Sequence, residues 1–292
     1  MHQSGNSEDT DVVLDAPLPS KARIYPVGGR SERVVVRSNY LVKRLFETPE
    51  NNLFNYVKFN LVNQQIKRIG GASPKVMDVG CGLQVAGRFL KALNSKISYF
   101  GIDYEPSFEP HAVVDLNRFD DLNLPMRWDP DVVMLLDVLE HLHEEETDLR
   151  KIIGHIAQSM PDKAHLIVTV PQWYRLDCLK LAHLHYPEHK IRLTQREWRS
   201  ALEEHFEVTA TQGVGFLSVI PYLPMAFRHY TPDNILGKLF RHLRSTTFEK
   251  RWIKSLDLFL SNTLGKLLPF KHLSNDILFV AKPLNRRSSN KS

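Results

Sequence analysis

The sequence predicts an α/β fold with a mostly parallel sheet. Three observations support this prediction: short apolar runs alternate with helical patterns, a glycine turn follows the first run, and polar groups follow the ends of four runs. Helices between successive strands are typical of parallel sheets, because each helix returns the chain to the same edge. At 292 residues the chain is long enough for one such fold with additions.

The patterning gives seven strands and four helices within this fold. Each strand is a short run of apolar or β-branched residues, and each helix places apolar residues three and four positions apart. The predicted strands cover 75–79, 97–102, 113–114, 131–136, 164–170, 206–211 and 275–281. The predicted helices cover 53–69, 85–93, 144–160 and 195–205.

The glycine turn after the first strand predicts a cofactor site. Gly80 and Gly82 let the backbone turn tightly and approach a ligand, and the next helix offers free amide groups at its N-terminus. The third glycine of the dinucleotide fingerprint is absent, since Gln84 and Val85 occupy that region. The turn therefore favours a cofactor without a pyrophosphate.

Acidic residues follow three further strands. Asp103 follows the second strand at the distance where these folds hold ribose hydroxyls, Asp115 follows the third, and Asp137 follows the fourth. Because the carboxyl ends of parallel strands meet at one edge, we expect these residues and the glycine turn to line a single cleft.

Together these residues resemble the class I S-adenosylmethionine-dependent methyltransferases, in the group whose fourth strand runs into a V-L-E-H motif, here at 138–141. The resemblance spans roughly residues 53 to 213. Residues 185–187 and 192–194 are similar to the H-x-P and R-x-T segment of methyltransferases of sugar and cell-envelope biosynthesis. The resemblance implies a Rossmann-like class I methyltransferase fold, with a seven-stranded, mostly parallel sheet and an antiparallel last strand beside strand six.

The resemblance also implies roles at the cofactor. The glycine turn contacts the methionine moiety, Asp103 holds the ribose, Asp115 lies near adenine, Asp78 anchors the loop and Asp137 borders the methionine end. The predicted cofactor-binding residues are Asp78, Gly80, Cys81, Gly82, Asp103, Tyr104, Asp115, Leu116 and Asp137. The absence of the usual third glycine leaves the path of the loop after Gly82 open. No basic neighbour is evident to activate Cys81, so no covalent role is predicted.

Methyl transfer to a hydroxyl calls for a base near the cleft. Histidine titrates in the useful range, and His141 and His185 are the candidates, one after strand four and the other after strand five. His141 can alternatively orient the loop that holds the cofactor. Tyr174 and Arg192 are predicted acceptor contacts.

A histidine group at 183, 185 and 189 invites a metal interpretation. Its spacing matches no closed zinc pattern and no cysteine joins it. Methyl transfer from a sulfonium does not require a metal. The sequence therefore predicts no metal site, and metal-dependent methylation remains a minor alternative.

Composition shifts divide the chain into a core and additions. The prediction is a flexible arm over 1–35, a methyltransferase core over 36–212, a helical addition over 213–274, the last strand over 275–283 and a disordered tail over 284–292. The addition mixes large apolar residues with lysine and arginine, as interfacial amphipathic helices do. It is expected to be either a lid on the substrate cleft or an element in peripheral contact with a membrane.

Charge and cysteine content restrict the partners and the compartment. Net charge is +5 and the pI is about 9.1, but the chain lacks the aromatic ladder of a dedicated nucleic-acid reader, so a nucleic-acid partner is disfavoured. Two cysteines and the absence of a secretory signal at the start predict a cytoplasmic protein, in one alternative peripheral at the membrane. The oligomeric state stays open.

The predicted function is S-adenosylmethionine-dependent methyl transfer to a hydroxyl of a saccharide, glycolipid or related cell-envelope intermediate. A small aromatic or quinone-type acceptor is the alternative, since methyltransferases of that kind share the V-L-E-H pattern. A non-catalytic S-adenosylmethionine-binding module would bind without turnover. An NAD-linked oxidoreductase is disfavoured by Gln84 and by the Glu140-His141 pair.

Overall fold

The computed structural model describes residues 52–118, 124–172, 189–220, 250–267 and 269–284, with a few isolated residues outside these ranges. Two of the isolated pieces, Val12–Val13 and Val35–Val36, pair as short antiparallel strands. The predicted division of the chain into arm, core, addition and tail stays a prediction.

A seven-stranded sheet forms the centre of the fold. Its strands are β1 (Lys75–Val79), β2 (Ser98–Asp103), β3 (Ala112–Val113), β4 (Val132–Leu136), β5 (His165–Pro171), β6 (Phe206–Val214) and β7 (Asp276–Pro283). The spatial order is β3-β2-β1-β4-β5-β7-β6. Only β7 runs antiparallel to its neighbours, β5 and β6. The predicted fold class is confirmed, and the strand order reverses between β1 and β4, where such sheets bind ligands.

Five α-helices accompany the sheet in the described part of the chain. They are α1 (Leu53–Ile69), α2 (Val85–Leu93), α3 (Glu146–Ser159), α4 (Gln195–Glu203) and α5 (Arg251–Thr263). The first two begin and end where the sequence predicted. Thr194 begins α4 through a capping box with Glu197, whose carboxylate accepts from the Thr194 backbone amide at 2.8 Å.

Helices cover both faces of the sheet. One core cluster joins α3 and α4 to the sheet through side chains such as Leu149, Ile152 and Trp198. The other joins α1 and α2 to the opposite face and includes Ile253 of α5. Because both faces are covered, the central strands are almost continuously apolar. Such apolar runs allow these strands to be predicted from the sequence.

Strand β6 is three residues longer than predicted, and its extra length depends on tertiary contacts. Gln212 is buried, and its Nε2 donates to the carbonyl of Ser261 in α5 at 2.8 Å. A Cβ at Gly213 would lie 2.6 Å from Oγ of Ser274, so this position needs glycine. A glutamine and a glycine read as loop residues locally, but here they pair with β7.

Helix α5 anchors the start of the addition. The carboxylate of Asp257, itself buried, accepts from the backbone amides of Phe216, Leu217 and Ser218 at 2.6, 3.0 and 3.2 Å. The hydroxyl of Ser261 accepts from the amide of Gly215 at 3.0 Å. Residues 215–218 directly follow β6, so these bonds fix α5 beside the edge of the sheet where β6 ends.

Candidate active site

The glycine turn lies where β1 ends, at the carboxyl edge of the sheet. The backbone amides of Gly80 and Cys81 both donate to the carbonyl of Ile102, at 2.8 and 3.0 Å. Gly80 has a φ of +77°, and a Cβ there would lie 2.6 Å from the side chain of Val138. Both the backbone conformation and the close approach therefore require glycine at this position.

Asp103, at the end of β2, holds the second half of the turn. Its Oδ2 accepts from the amide of Gly82 at 2.8 Å, and its Oδ1 accepts from the amide of Glu105 at 3.1 Å. Burial raises the pKa of Asp103, and hydrogen bonds from backbone amides oppose that rise. Each carboxylate oxygen has more than one acceptor position, so the group keeps capacity for a diol.

Open space beside this carboxylate completes the fit to a nucleoside cofactor. Gly82 has a φ of +48°, and no atom lies within 4 Å of the position where its Cβ would be. A ligand can therefore approach the backbone at Gly82 closely while its hydroxyls reach Asp103. The residues of the turn fit a ribose-containing cofactor.

Gln84 directly precedes Val85, the position at which the dinucleotide fingerprint carries its third glycine. It adopts the left-handed conformation, with a φ of +56°, at the start of α2. Such a conformation costs a non-glycine residue about 1–2 kcal/mol. The side chain offsets part of this cost, because its Nε2 donates to the carbonyl of Glu109 at 2.9 Å. This bond fixes the path of the loop, which the sequence left open.

Asp78 lies under the turn and is buried. Its Oδ2 accepts from the hydroxyl of Tyr99 at 2.6 Å. Burial raises the pKa of Asp78 from 3.8 to about 7, with the Tyr99 hydrogen bond opposing the rise and the charge of Asp103 adding to it. The ring of Tyr99 packs so closely on α2 that a Cβ at Gly87 would lie 2.3 Å from it.

The remaining predicted cofactor residues at the turn and along this side of the sheet differ in exposure. Cys81 and Leu116 are buried, whereas Tyr104 is 65% exposed. Asp115 follows β3 and is partly exposed. Its carboxylate accepts from the backbone amide of Asn117 at 2.9 Å. Their contacts with a cofactor stay predictions.

Asp137, at the end of β4, belongs to a buried charged group. It has a φ of +56°, its Oδ2 accepts from Nζ of Lys58, and its Oδ1 accepts from the hydroxyl of Thr169 at 2.7 Å. Burial opposes ionisation of Asp137, but the charge and hydrogen bond of Lys58 outweigh it and lower its pKa. Asp276 lies 4.0 Å from the same ammonium, and burial and then Asp137 raise its pKa.

A small cleft opens beside this group. We call it the polar cleft; its lining includes Glu140, Gln172, His189, Arg192, Leu193 and Trp198. Arg192 was a predicted acceptor contact and does line it. The predicted residues His185 and Tyr174 lie outside the described residues.

Polar atoms without partners distinguish this cleft. Both carboxylate oxygens of Glu140 and Oε1 of Gln172 are buried and have no hydrogen-bond partner among the described residues. Burial, and then repulsion from Asp137, raises the pKa of Glu140 well above its usual range. Buried oxygens without hydrogen bonds are costly.

Two histidines stand beside Glu140. Nε2 of His141 lies 3.8 Å from Oε1 of Glu140, and the rings of His141 and His189 are 4.9 Å apart. Burial, and then the neighbouring His141, lowers the pKa of His189 to about 4. The structure thus brings the predicted base His141 to the rim of the polar cleft; whether it acts as a base stays a prediction.

Sequence reasoning missed Lys58 and Gln172 and considered His189 only together with His183 and His185. One signal for Lys58 was available: it stands between Val57 and Phe59 on the apolar side of α1. Gln172 and His189 had no local signal, because they meet Glu140 only through the arrangement of distant segments.

The family model of a methyltransferase domain matches residues 43–211, more than half of the chain. No curated protein matches the chain.

Many solved structures are similar in shape. A chain from the complex between the Haloferax volcanii Trm112 methyltransferase activator and a methyltransferase has a TM-score of 0.46 and 14% identity, and the match covers 80% of this chain and 99% of that chain. An S-adenosylmethionine-dependent methyltransferase from Archaeoglobus fulgidus has a TM-score of 0.44 and 16% identity, over 77% of this chain and 94% of that one. The N-methyltransferase NodS from Bradyrhizobium japonicum, solved with S-adenosylhomocysteine, has a TM-score of 0.41 and 17% identity, over 60% and 89%.

The match to the family model over residues 43–211, together with the strand order and the glycine turn at the carboxyl edge, identifies the chain. The protein belongs to the methyltransferase-domain family and is a class I S-adenosylmethionine-dependent methyltransferase.

Proposed function

We propose that this methyltransferase modifies a hydroxyl of a saccharide, glycolipid or related lipid-linked cell-envelope intermediate. The observation that carries the proposal is the polar cleft beside the cofactor edge. Glu140, Gln172 and Arg192 bring a carboxyl, an amide and a guanidinium to one cavity. Groups of these kinds bind sugar hydroxyls, because together they offer both donors and acceptors.

The proposed division of labour places the cofactor at the glycine turn and the acceptor in the polar cleft. When bound, S-adenosylmethionine supplies an activated methyl group and its own leaving group. In the proposal, Asp103 and Gly82 hold the ribose, and Asp78 anchors the loop at the methionine end. Residues of the cleft align the acceptor oxygen and exclude water, and effective concentration accounts for much of the rate.

A second feature supports a lipid-linked acceptor. On α5, Trp252, Leu256 and Phe259 form one face and are 61%, 41% and 61% exposed, with Lys250 and Arg251 beside them. We call this the apolar-basic face. Its composition suits contact with the headgroup region of an anionic membrane. In the part of the chain that the structure describes, no helix is long and apolar enough to cross a bilayer.

The buried side of α5, opposite the apolar-basic face, is connected to the polar cleft through a chain of hydrogen bonds. The backbone amide of Gln172 donates to the carbonyl of Asn275 at 2.9 Å. The backbone amide of Asn275 donates to the carbonyl of Gly215 at 2.7 Å. Gly215 in turn donates to Ser261 of α5. In the proposal, α5 lies on the membrane through its exposed face while its buried side connects to the cleft that receives the acceptor, in a cytoplasmic protein peripheral at the membrane.

The acceptor is tested by incubating the protein with methyl-labelled S-adenosylmethionine and three sets of candidates: envelope oligosaccharides, glycolipid extracts and quinone precursors. We expect label in an ether-linked methyl group of a saccharide or glycolipid. Arg192→Ala should reduce this at least about tenfold, since charged hydrogen bonds contribute about 1.5–3 kcal/mol. Arg199→Ala is the control, because Arg199 pairs with Glu203 on the surface of α4.

Two results would overturn the proposal. Label in quinone precursors alone would favour the small aromatic acceptor, and cofactor binding without label in any set would favour a non-catalytic module. Equal losses of methyl transfer in Arg192→Ala and Arg199→Ala would show that Arg192 does not contact the acceptor.

Membrane contact is tested by flotation with anionic vesicles. We expect the wild-type chain to float, and the double variant Trp252→Glu and Phe259→Glu to remain in solution, because charge on the apolar face opposes insertion. The control is Leu93→Glu, which introduces a glutamate at another exposed apolar residue, 38% exposed, at the end of α2. Flotation by both variants, or by neither the wild type nor the variants, would contradict membrane contact through α5.

A further inference from the structure

The side chains of Glu140, His141 and His189 meet beside the polar cleft, which Glu140 and His189 line. One ligand atom from each, a carboxylate oxygen or an imidazole nitrogen, lies within 4.8 Å of the others. Glu140 is 1% exposed, and neither of its carboxylate oxygens has a hydrogen-bond partner among the described residues. Burial of this carboxyl group is costly in either protonation state unless a hydrogen-bond partner or a cation binds its oxygens.

We propose that Glu140, His141 and His189 bind a divalent transition-metal ion at the polar cleft. This departs from the sequence prediction of no metal site, which was based on His183, His185 and His189 and their spacing. The three proposed ligands instead come from two segments that are far apart in the chain, the turn after β4 and the segment before α4. Binding of the ion is independent of the proposed function, but its role toward an acceptor hydroxyl rests on it.

The ligand set selects the class of ion. Two imidazoles and one carboxylate suit Zn²⁺, Mn²⁺, Fe²⁺ or Co²⁺, and the same set with open positions is typical of catalytic rather than structural sites. Bonds of about 2.0–2.2 Å in tetrahedral geometry place ligand atoms on one ion about 3.3–3.6 Å apart. Ligand atoms within 4.8 Å of one another therefore need to approach by at most about 1.5 Å, which rotation of two side chains can supply.

Further oxygen ligands are at hand in the same cavity. Oε1 of Gln172 is buried and has no hydrogen-bond partner among the described residues, and Gln172 lines the polar cleft with Glu140 and His189. An ion held by three protein ligands keeps positions for this amide oxygen, for water or for an acceptor hydroxyl. In this role the ion positions the acceptor oxygen beside the cofactor edge.

The ion is tested with the full chain after removal of metals by a chelator, without cofactor or acceptor. Co²⁺ is the probe, because its visible absorption reports coordination by nitrogen and oxygen ligands. We expect one equivalent to bind and Zn²⁺ to displace it. Glu140→Gln and His189→Ala should each weaken Co²⁺ binding at least about 100-fold, since each removes one of three ligands. His155→Ala, on α3, should bind as the wild type does.

The outcomes separate this inference from the proposed function. No stoichiometric Co²⁺ absorption in the wild type, or equal affinity in all variants, would overturn the metal site. Titration with S-adenosylmethionine and thermal unfolding show whether each variant is folded. A chain that binds one Co²⁺ through Glu140 and His189 but methylates no saccharide or glycolipid would leave the metal site standing and refute only the acceptor.

Discussion

Two buried carboxyl groups at the same edge of the sheet, Asp103 and Glu140, stand in opposite states. Both oxygens of Asp103 accept hydrogen bonds from backbone amides, of Gly82 and Glu105. Neither oxygen of Glu140 has such a partner among the described residues. The glycine turn is thus organised by backbone hydrogen bonds, whereas the polar cleft contains a carboxyl group that the described residues do not pair.

This difference shows how the cofactor half and the acceptor half of a transferase site are encoded in different ways. A cofactor common to many enzymes is bound by backbone geometry, which allows few residues at each position. An acceptor is bound by side chains from several segments, and these vary with the substrate. Burying the carboxylate of Glu140 and Oε1 of Gln172 without a hydrogen bond from the described residues costs stability, and a bound ligand can recover this cost.

The strongest test of the comparison changes Lys58, whose ammonium bonds to Asp137 between the two regions. Lys58→Met should lower the free energy of unfolding by about 3–5 kcal/mol, because it removes the ammonium between the half-buried carboxylate of Asp137 and the buried carboxyl group of Asp276. Urea unfolding measures the loss. Lys67→Met is the matched control on an exposed position of α1 and should stay within about 0.5 kcal/mol of wild type. Similar effects of the two substitutions would show that the buried pair does not support the site.

A smaller effect is expected under the glycine turn. Gly87→Ala would place a Cβ 2.3 Å from the ring of Tyr99, so the helix or the ring must move. We expect a loss of about 1–3 kcal/mol in the free energy of unfolding, as in other overpacked cores. Gly154→Ala in α3 makes the same change with 3.0 Å to the side chain of His205 and should cost less. An equal or larger loss for Gly154→Ala would contradict the tight packing under the turn.

The third prediction concerns pH. Because the pKa of Asp78 is about 7 in the fold against an ordinary 3.8, the folded chain binds a proton that the unfolded chain releases between these values. Stability should therefore fall as pH rises through this window, by at most about 1.4 kcal/mol per pH unit, and be lowest above it. Asp78→Asn should remove that slope relative to wild type in urea unfolding at several pH values.

Tyr99→Phe sharpens the same test. The Tyr99 hydroxyl donates to Asp78 and holds its pKa down, so its loss should extend the window above pH 7. Identical pH profiles for the wild type and Asp78→Asn would show that Asp78 is not protonated in the fold.

The same contrast explains how much the sequence could predict. The sheet, the bounds of α1 and α2, and the glycine turn follow from local rules: apolar runs, helical spacing and the conformational freedom of glycine. The left-handed conformation of Gln84 could not be predicted in this way, because it depends on a hydrogen bond to Glu109, a residue outside the glycine turn.

The polar cleft was largely beyond sequence reasoning. Arg192 and His141 could be predicted through family motifs, but Gln172 and His189 meet Glu140 only after distant segments assemble. Lys58 could have been suspected as a lysine within an apolar helix face, but its partner Asp137 lies 79 residues away in the chain. Long-range contacts of this kind leave no periodic pattern.

The central claim is that the glycine turn and Asp103 bind S-adenosylmethionine. Calorimetric titration of the wild type, of Asp103→Ala and of Asp131→Ala tests it directly, with NAD as a second ligand. Asp131 accepts from the amide of Lys75 at 2.9 Å at the opposite edge of the sheet, so its variant is the control. We predict one equivalent of S-adenosylmethionine bound to the wild type and the control, and at least about 100-fold weaker binding to Asp103→Ala, from the loss of charged hydrogen bonds. Preference for NAD, or unchanged affinity in Asp103→Ala, would contradict the claim.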